Sequence, residues 1–75
     1  MSESIEVQAE RIAEAVKSAR KKQRLSQEDL ALLAETSQRP LYLLEQGKGS
    51  IRLETLLRLF DALGLDIEIK ARRGQ

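Results

Sequence analysis

Residues 26 to 48 read SQEDLALLAETSQRPLYLLEQGK, and this stretch decides the fold. Ser26 precedes Asp29 by three positions, the spacing at which a hydroxyl and a carboxylate each accept a hydrogen bond from the other residue's backbone amide. A helix therefore starts here. After Ala34 the polar run Glu35-Thr36-Ser37 reads as a turn, and a second helix follows with Ser37 as its N-cap. Pro40 then falls in the first turn of that helix, where its missing amide proton costs nothing. Leu41 and Leu44 supply an apolar side and Gly47 closes the helix. Two short helices joined by a tight turn over residues 26–46 form a helix-turn-helix, whose second helix has the size to enter a DNA major groove.

Length and composition narrow what such a motif can serve. Seventy-five residues support one small domain, 1–75, near the lower limit for a single core, so dense helix packing or oligomerisation is expected. The absence of Cys and His excludes disulfides, thiolate chemistry, imidazole catalysis and ordinary zinc sites; no enzymatic activity and no cofactor are expected. Acidic neighbours such as Glu28 and Asp29 sit in a first helical turn, where the helix dipole favours negative charge, so capping explains them better than acid-base chemistry. No stretch approaches a transmembrane length and no signal pattern opens the chain, which is expected to stay in the cytoplasm, on the nucleoid when bound to DNA.

The net charge of +1 conceals a strong division. Residues 1–16 carry −3, whereas residues 17–24 carry +5 from Lys17, Arg20, Lys21, Lys22 and Arg24. Residues 25–37 return to −3, residues 38–52 carry +2, and the remainder balances. Concentrated basic charge suits phosphate binding, although a solvated helix face has the same composition.

Outside the central motif, residues 1–4 are polar and expected to fray. Ile5, Ala9, Ile12, Val16 and Ala19 then keep one apolar stripe at helical spacing as far as about Gln23, and Leu25 tucks into the core. In the second helix Leu30, Leu33 and Ala34 form the inward side. Gly47-Lys48-Gly49-Ser50 is a loop by composition. A fourth helix runs from about Leu53 to Leu63, with Leu53, Leu56, Leu57, Phe60 and Leu63 on one side and Gly64 as its left-handed stop. Thereafter the period changes to two: Leu65, Ile67 and Ile69 alternate with charged residues, the pattern of a half-buried strand over 65–70. No other stretch reads as a strand, so its partner is expected to be its own copy in a two-fold dimer. A fourth helix continuing past Gly64 is the alternative. The last residues, Ala71 to Gln75, with Arg72 and Arg73, are expected to be mobile.

The residues LSQEDLALLAE and SQRPLYLLEQGKGSIRLETLLRLFDALGLDIEI closely resemble the Xre family of helix-turn-helix regulators, which includes phage repressors, over about Ile12 to Ile69. The resemblance implies an all-α, lambda-repressor-like bundle of four to five helices with a C-terminal β-strand pairing across a dimer. The terminal GLDIEI further resembles HipB-type antitoxins. That likeness implies a homodimer on a palindromic operator that autoregulates a toxin-antitoxin operon and binds a HipA-like kinase toxin; a stand-alone Xre-type regulator is the alternative. It also implies that Arg20 lies opposite Glu45 as a partly buried ion pair joining the first helix to the third.

Three positions depart from the family pattern. Glu35 stands where the turn often has Gly, which implies either a left-handed residue or a different turn. Arg52 stands where the fourth helix usually has a Ser or Asp cap, leaving Ser50 or water to cap it. Leu43 occupies a position where many relatives place a polar, base-reading side chain.

The candidate DNA-binding residues follow from this geometry. Ser37, Gln38 and Arg39 open the recognition helix, where side chains reach base edges. Gln38 can pair twice with adenine and Arg39 twice with guanine, each pairing being worth about 1–3 kcal/mol of discrimination. Tyr42 offers a donor to a phosphate and Leu43 a contact for a thymine methyl, or merely a cover for the hinge between the helices. Gln27 and Lys48 are phosphate candidates at the motif's two ends, and Lys17, Lys21, Lys22 and Arg24 remain for phosphates or solvent.

Overall fold

The Asp29 amide donates to the Ser26 hydroxyl at 2.9 Å, and the Ser26 amide donates to the Asp29 carboxylate at 3.2 Å, completing the capping box. In the computed structural model, which describes residues 4–48 and 50–72, four helices follow in order: α1 (Ile5–Lys22), α2 (Gln27–Leu33), α3 (Gln38–Glu45) and α4 (Leu53–Leu63). Gly49 and Arg73, placed above in a loop and a tail, lie outside the described residues, as do residues 1–3 and 74–75. Ser4, expected to fray, instead caps α1 by accepting from the Val7 amide at 3.1 Å. Ser37 and Arg52 hold the N-cap positions of α3 and α4, but neither makes a side-chain cap hydrogen bond. Replacing Ser26 by alanine removes an acceptor from an otherwise orphaned amide; a loss of about 1 kcal/mol is expected. A thermal melt reads this as a fall of about 4–8 °C.

All four helices end in the same way. The amides of Leu25, Thr36, Lys48 and Leu65 each reach back five residues, to the carbonyls of Arg20, Ala31, Leu43 and Phe60, at 2.8–3.1 Å. The residue before each is left-handed: Arg24 (φ 59°), Glu35 (φ 57°), Gly47 (φ 72°) and Gly64 (φ 73°). This closure satisfies terminal carbonyls and turns the chain sharply. Glycine takes that conformation freely, whereas Arg24 and Glu35 each carry a strain of about 1–2 kcal/mol. Of the two possibilities for Glu35, the left-handed one is present.

The four fully buried large side chains come one from each helix: Val16, Leu30, Leu41 and Leu59. Ala34 and Leu63 complete the cluster, and Leu25, Leu44, Ile51, Phe60 and Leu65 pack around it. Helices α1 and α2 each pack on both α3 and α4. Three expected apolar faces are corrected. On α1 the inward residues are Ala13, Val16 and Arg20, while Ile5 and Ile12 are exposed, because the packed face passes through Ala13 and Val16 and not through the stripe of Ile5 and Ile12. On α2, Ala31 is buried and Leu33 exposed. On α4, Leu59 is buried while Leu53 and Leu57 face solvent.

The expected strand over residues 65–70 is absent from the single chain; these residues adopt no regular secondary structure. A strand needs a neighbour for its amides and carbonyls, and no strand exists among the described residues to provide one. Leu65 is committed to its own chain's core, half-buried and bonded through its amide to Phe60, whereas Ile67 and Ile69 stand 45% and 90% exposed.

Candidate nucleic-acid interface

Helix α3 is held from beneath by one charged pair. Arg20 projects from the last turn of α1 and is nearly buried; its Nε donates to Glu45 Oε2 at 2.7 Å and its Nη2 to Glu45 Oε1 at 2.9 Å. Its third nitrogen, Nη1, donates to the Leu25 carbonyl at 2.6 Å. This side-on fork uses the planar geometry that lysine lacks, and it ties the end of α3 to α1 and to the following link. Both side chains are almost shielded from water, with 10% and 4% of their surface exposed. Burial pushes the Glu45 carboxyl up, but hydrogen bonds from Arg20 and Gln27, with the charges of Arg20 and Lys17, outweigh it and hold Glu45 below its ordinary value. Arg20 lies in the basic run yet is turned inward, so it is not presented to a ligand.

With its end fixed, α3 presents its first turn to solvent. Ser37, Gln38 and Arg39 are exposed, and so is Tyr42 one turn further along. Pro40 and Leu43 are half-buried, Leu41 is fully buried and Leu44 packs on the core. Leu43 thus lies at the border between the outer face and the interior rather than fully on the reading surface. Lys48 is exposed beyond the end of α3. Lys21, Lys22 and Arg24 are exposed around the end of α1, and Lys17 is half-buried.

Gln27 opens α2 and is half-buried. Its Nε2 donates to Glu45 Oε1 at 3.1 Å, and its Oε1 accepts from Gln38 Nε2 at 3.4 Å. The first turns of α2 and α3 are therefore linked through two amides to the buried pair. The sequence reading singled out all four residues but missed these contacts, since their separations of 18 and 11 positions correspond to no local pattern.

A second cross-link, on a different surface, joins Arg58 to Glu35 at 3.3 Å and to Glu54 at 2.9 Å. These groups are largely exposed, so solvent screening leaves the bridges little weight.

A short second helix, a left-handed corner and an outward first turn on α3 together are the parts of a helix-turn-helix. The family model for helix-turn-helix matches residues 16–70, most of the chain. The chain belongs to the Xre-type helix-turn-helix family. No curated protein matches it. Family membership makes this helix-turn-helix protein a DNA-binding transcriptional regulator. Among the described residues of the regulator, no helix is long and apolar enough to cross a membrane.

Proposed function

We propose that this regulator is a cytoplasmic, sequence-specific repressor that binds a palindromic operator as a homodimer. The observation that carries the reading is the exposed run Ser37-Gln38-Arg39 on a helix whose opposite end is locked by Arg20 and Glu45. Gln38 and Arg39 read base edges, while Gln27, Ser37, Tyr42 and Lys48 position the protein on phosphates. Leu43, half-buried at the edge of this face, makes an apolar contact with a thymine methyl.

The dimer follows from the unpartnered C-terminal segment. Ile67 and Ile69 are exposed in a chain with no second strand among its described residues; pairing 65–70 with its copy supplies the missing ladder and buries both against the helices. Two recognition helices would then stand roughly 34 Å apart, one turn of DNA. A chain ending at Gly64 should sediment as a monomer and the full chain as a dimer; a truncated chain that stays dimeric rules the pairing out.

The likeness of GLDIEI to HipB-type antitoxins supports a narrower reading, in which the regulator is the antitoxin of a HipA-like kinase toxin and represses their shared operon. Co-expression with the adjacent reading frame tests this, and the kinase should co-purify with the regulator. If it does not, the protein is a stand-alone Xre-type regulator. For the DNA reading, Gln38→Ala combined with Arg39→Ala should weaken binding to the DNA upstream of its own coding sequence by about 100-fold, while non-specific binding changes far less. Affinity of the unmodified chain should fall steeply with salt, because lysine and arginine release counterions from the backbone.

A further inference from the structure

Leu33, Leu53 and Leu57 stand 60%, 68% and 46% exposed, and none of them belongs to the core or to the candidate DNA surface. We infer that they form a docking surface for a second, different protein, which lays on it an amphipathic helix whose apolar side chains are flanked by lysine or arginine.

A helix of 11 residues needs one apolar stripe to pack, and α4 has it in Leu59 and Leu63, with Leu56 and Phe60 half-buried beside them. Leu53 and Leu57 are four residues apart, so they stack one turn from each other as a separate apolar ridge. Two grooves meet at this ridge. One is lined by Leu53 and Leu57 and the other by Leu33, and Arg58 and Asp61 border both. Neither is enclosed, whereas small-molecule sites bury about 70–90% of their ligand. Open grooves beside a leucine ridge suit the side chains of a packed helix.

Charge selects the occupant. Glu35, Glu54 and Asp61 border the grooves against Arg58 alone, three carboxylates to one guanidinium, a net charge of −2. Arg58 is engaged by Glu35 and Glu54, at 3.3 and 2.9 Å, while Asp61 has no ion-pair partner among the described residues. Lysine or arginine on the incoming helix meets these carboxylates, and an acidic helix is repelled. A second copy of the chain does not offer that match. Two copies of this face set −2 against −2. The other exposed isoleucines have acidic neighbours too: Ile5 and Ile12 share α1 with Glu6, Glu10 and Glu14, and Ile67 stands between Asp66 and Glu68.

The test uses the full chain, immobilised, and a phage-displayed library of random peptides of about 16 residues, room for about four helical turns. A chain with Leu33→Ser and Leu57→Ser, shown to be folded by circular dichroism, removes peptides that bind elsewhere. The peptides retained should carry leucine, isoleucine or phenylalanine at helical spacings, with lysine and arginine outnumbering aspartate and glutamate. A synthetic copy of the most enriched peptide should shift the amide signals of Leu33, Leu57 and Asp61 in NMR spectra of the chain. Asp61→Lys changes an exposed position and should weaken that peptide by about tenfold, while a copy with glutamate for each basic residue should prefer the Asp61→Lys chain. The proposal is overturned if the retained peptides are acidic or uncharged, or if none depends on Leu33 and Leu57. It is also overturned if the doubly substituted chain loses self-association in sedimentation, which would make a second copy the occupant.

Discussion

An Arg20→Ala chain is expected to lose about 3–5 kcal/mol of folding free energy, because it strands the nearly buried Glu45 carboxylate without its partner. For a domain of this size that is a large share of a total of roughly 4–11 kcal/mol, and the melting temperature should fall by at least about 12 °C. The loss also reaches the Leu25 carbonyl, which Arg20 Nη1 serves. Its pH dependence carries a signature. The folded pKa of Glu45 is depressed, so the pair's contribution is present above the ordinary carboxylate value and disappears as the pH falls through the lower folded value. Arg20 stays charged throughout that range. Acid titration of stability should therefore lose its segment below about pH 4 in the variant. Replacing both partners, Arg20→Met with Glu45→Leu, should recover most of the loss, since no uncompensated charge is left inside. The opposite result, an Arg20→Ala chain with native melting but no DNA binding, would place Arg20 at the nucleic-acid surface and remove it from the scaffold.

Leu59→Ala is expected to cost about 2–5 kcal/mol, whereas Leu33→Ala should change stability by less than about 1 kcal/mol. The two residues are chemically identical, but Leu59 is fully buried among Val16, Leu30 and Leu41 while Leu33 is 60% exposed. Removing a buried isobutyl group forfeits its transfer free energy and leaves a cavity where side chains from all four helices meet. Urea unfolding of the two variants, at equal protein concentration, measures the contrast. Equal losses would contradict the packing described here.

That contrast also marks where the sequence was readable and where it was not. Helix positions were legible because their punctuation is chemical: Ser26 with Asp29 starts α2, Pro40 fits only an early turn of α3, and Gly64 stops α4. The choice among leucines was not. LETLLRLFDALGL places leucine on several faces of α4, and LALLA does the same for α2, so periodicity alone cannot select Leu59 over Leu57 or Ala31 over Leu33. Arg24 gave no sign of its left-handed conformation, since an arginine carries none of glycine's local signal. The outward position of Gln38 and Arg39 followed from their place in α3, but the amide link from Gln38 to Gln27 depends on how two helices cross. Residues 65–70 have the alternation of a strand, but pairing is a property of two segments and only one lies in the chain.

The four left-handed corners make residue count a stronger constraint than residue type. Glu35 and Arg24 show that a corner can form without glycine, at the cost of some strain. A change of length is different, because each corner is one residue followed by an amide that must reach the carbonyl five positions earlier. Adding or deleting one residue between Ala34 and Gln38 would break that reach or turn α3 by about 100° around its axis, moving Gln38, Arg39 and Tyr42 off their present face. The exposed face of α3 can thus change its side chains and keep its direction only while the chain between α2 and α3 keeps its present length.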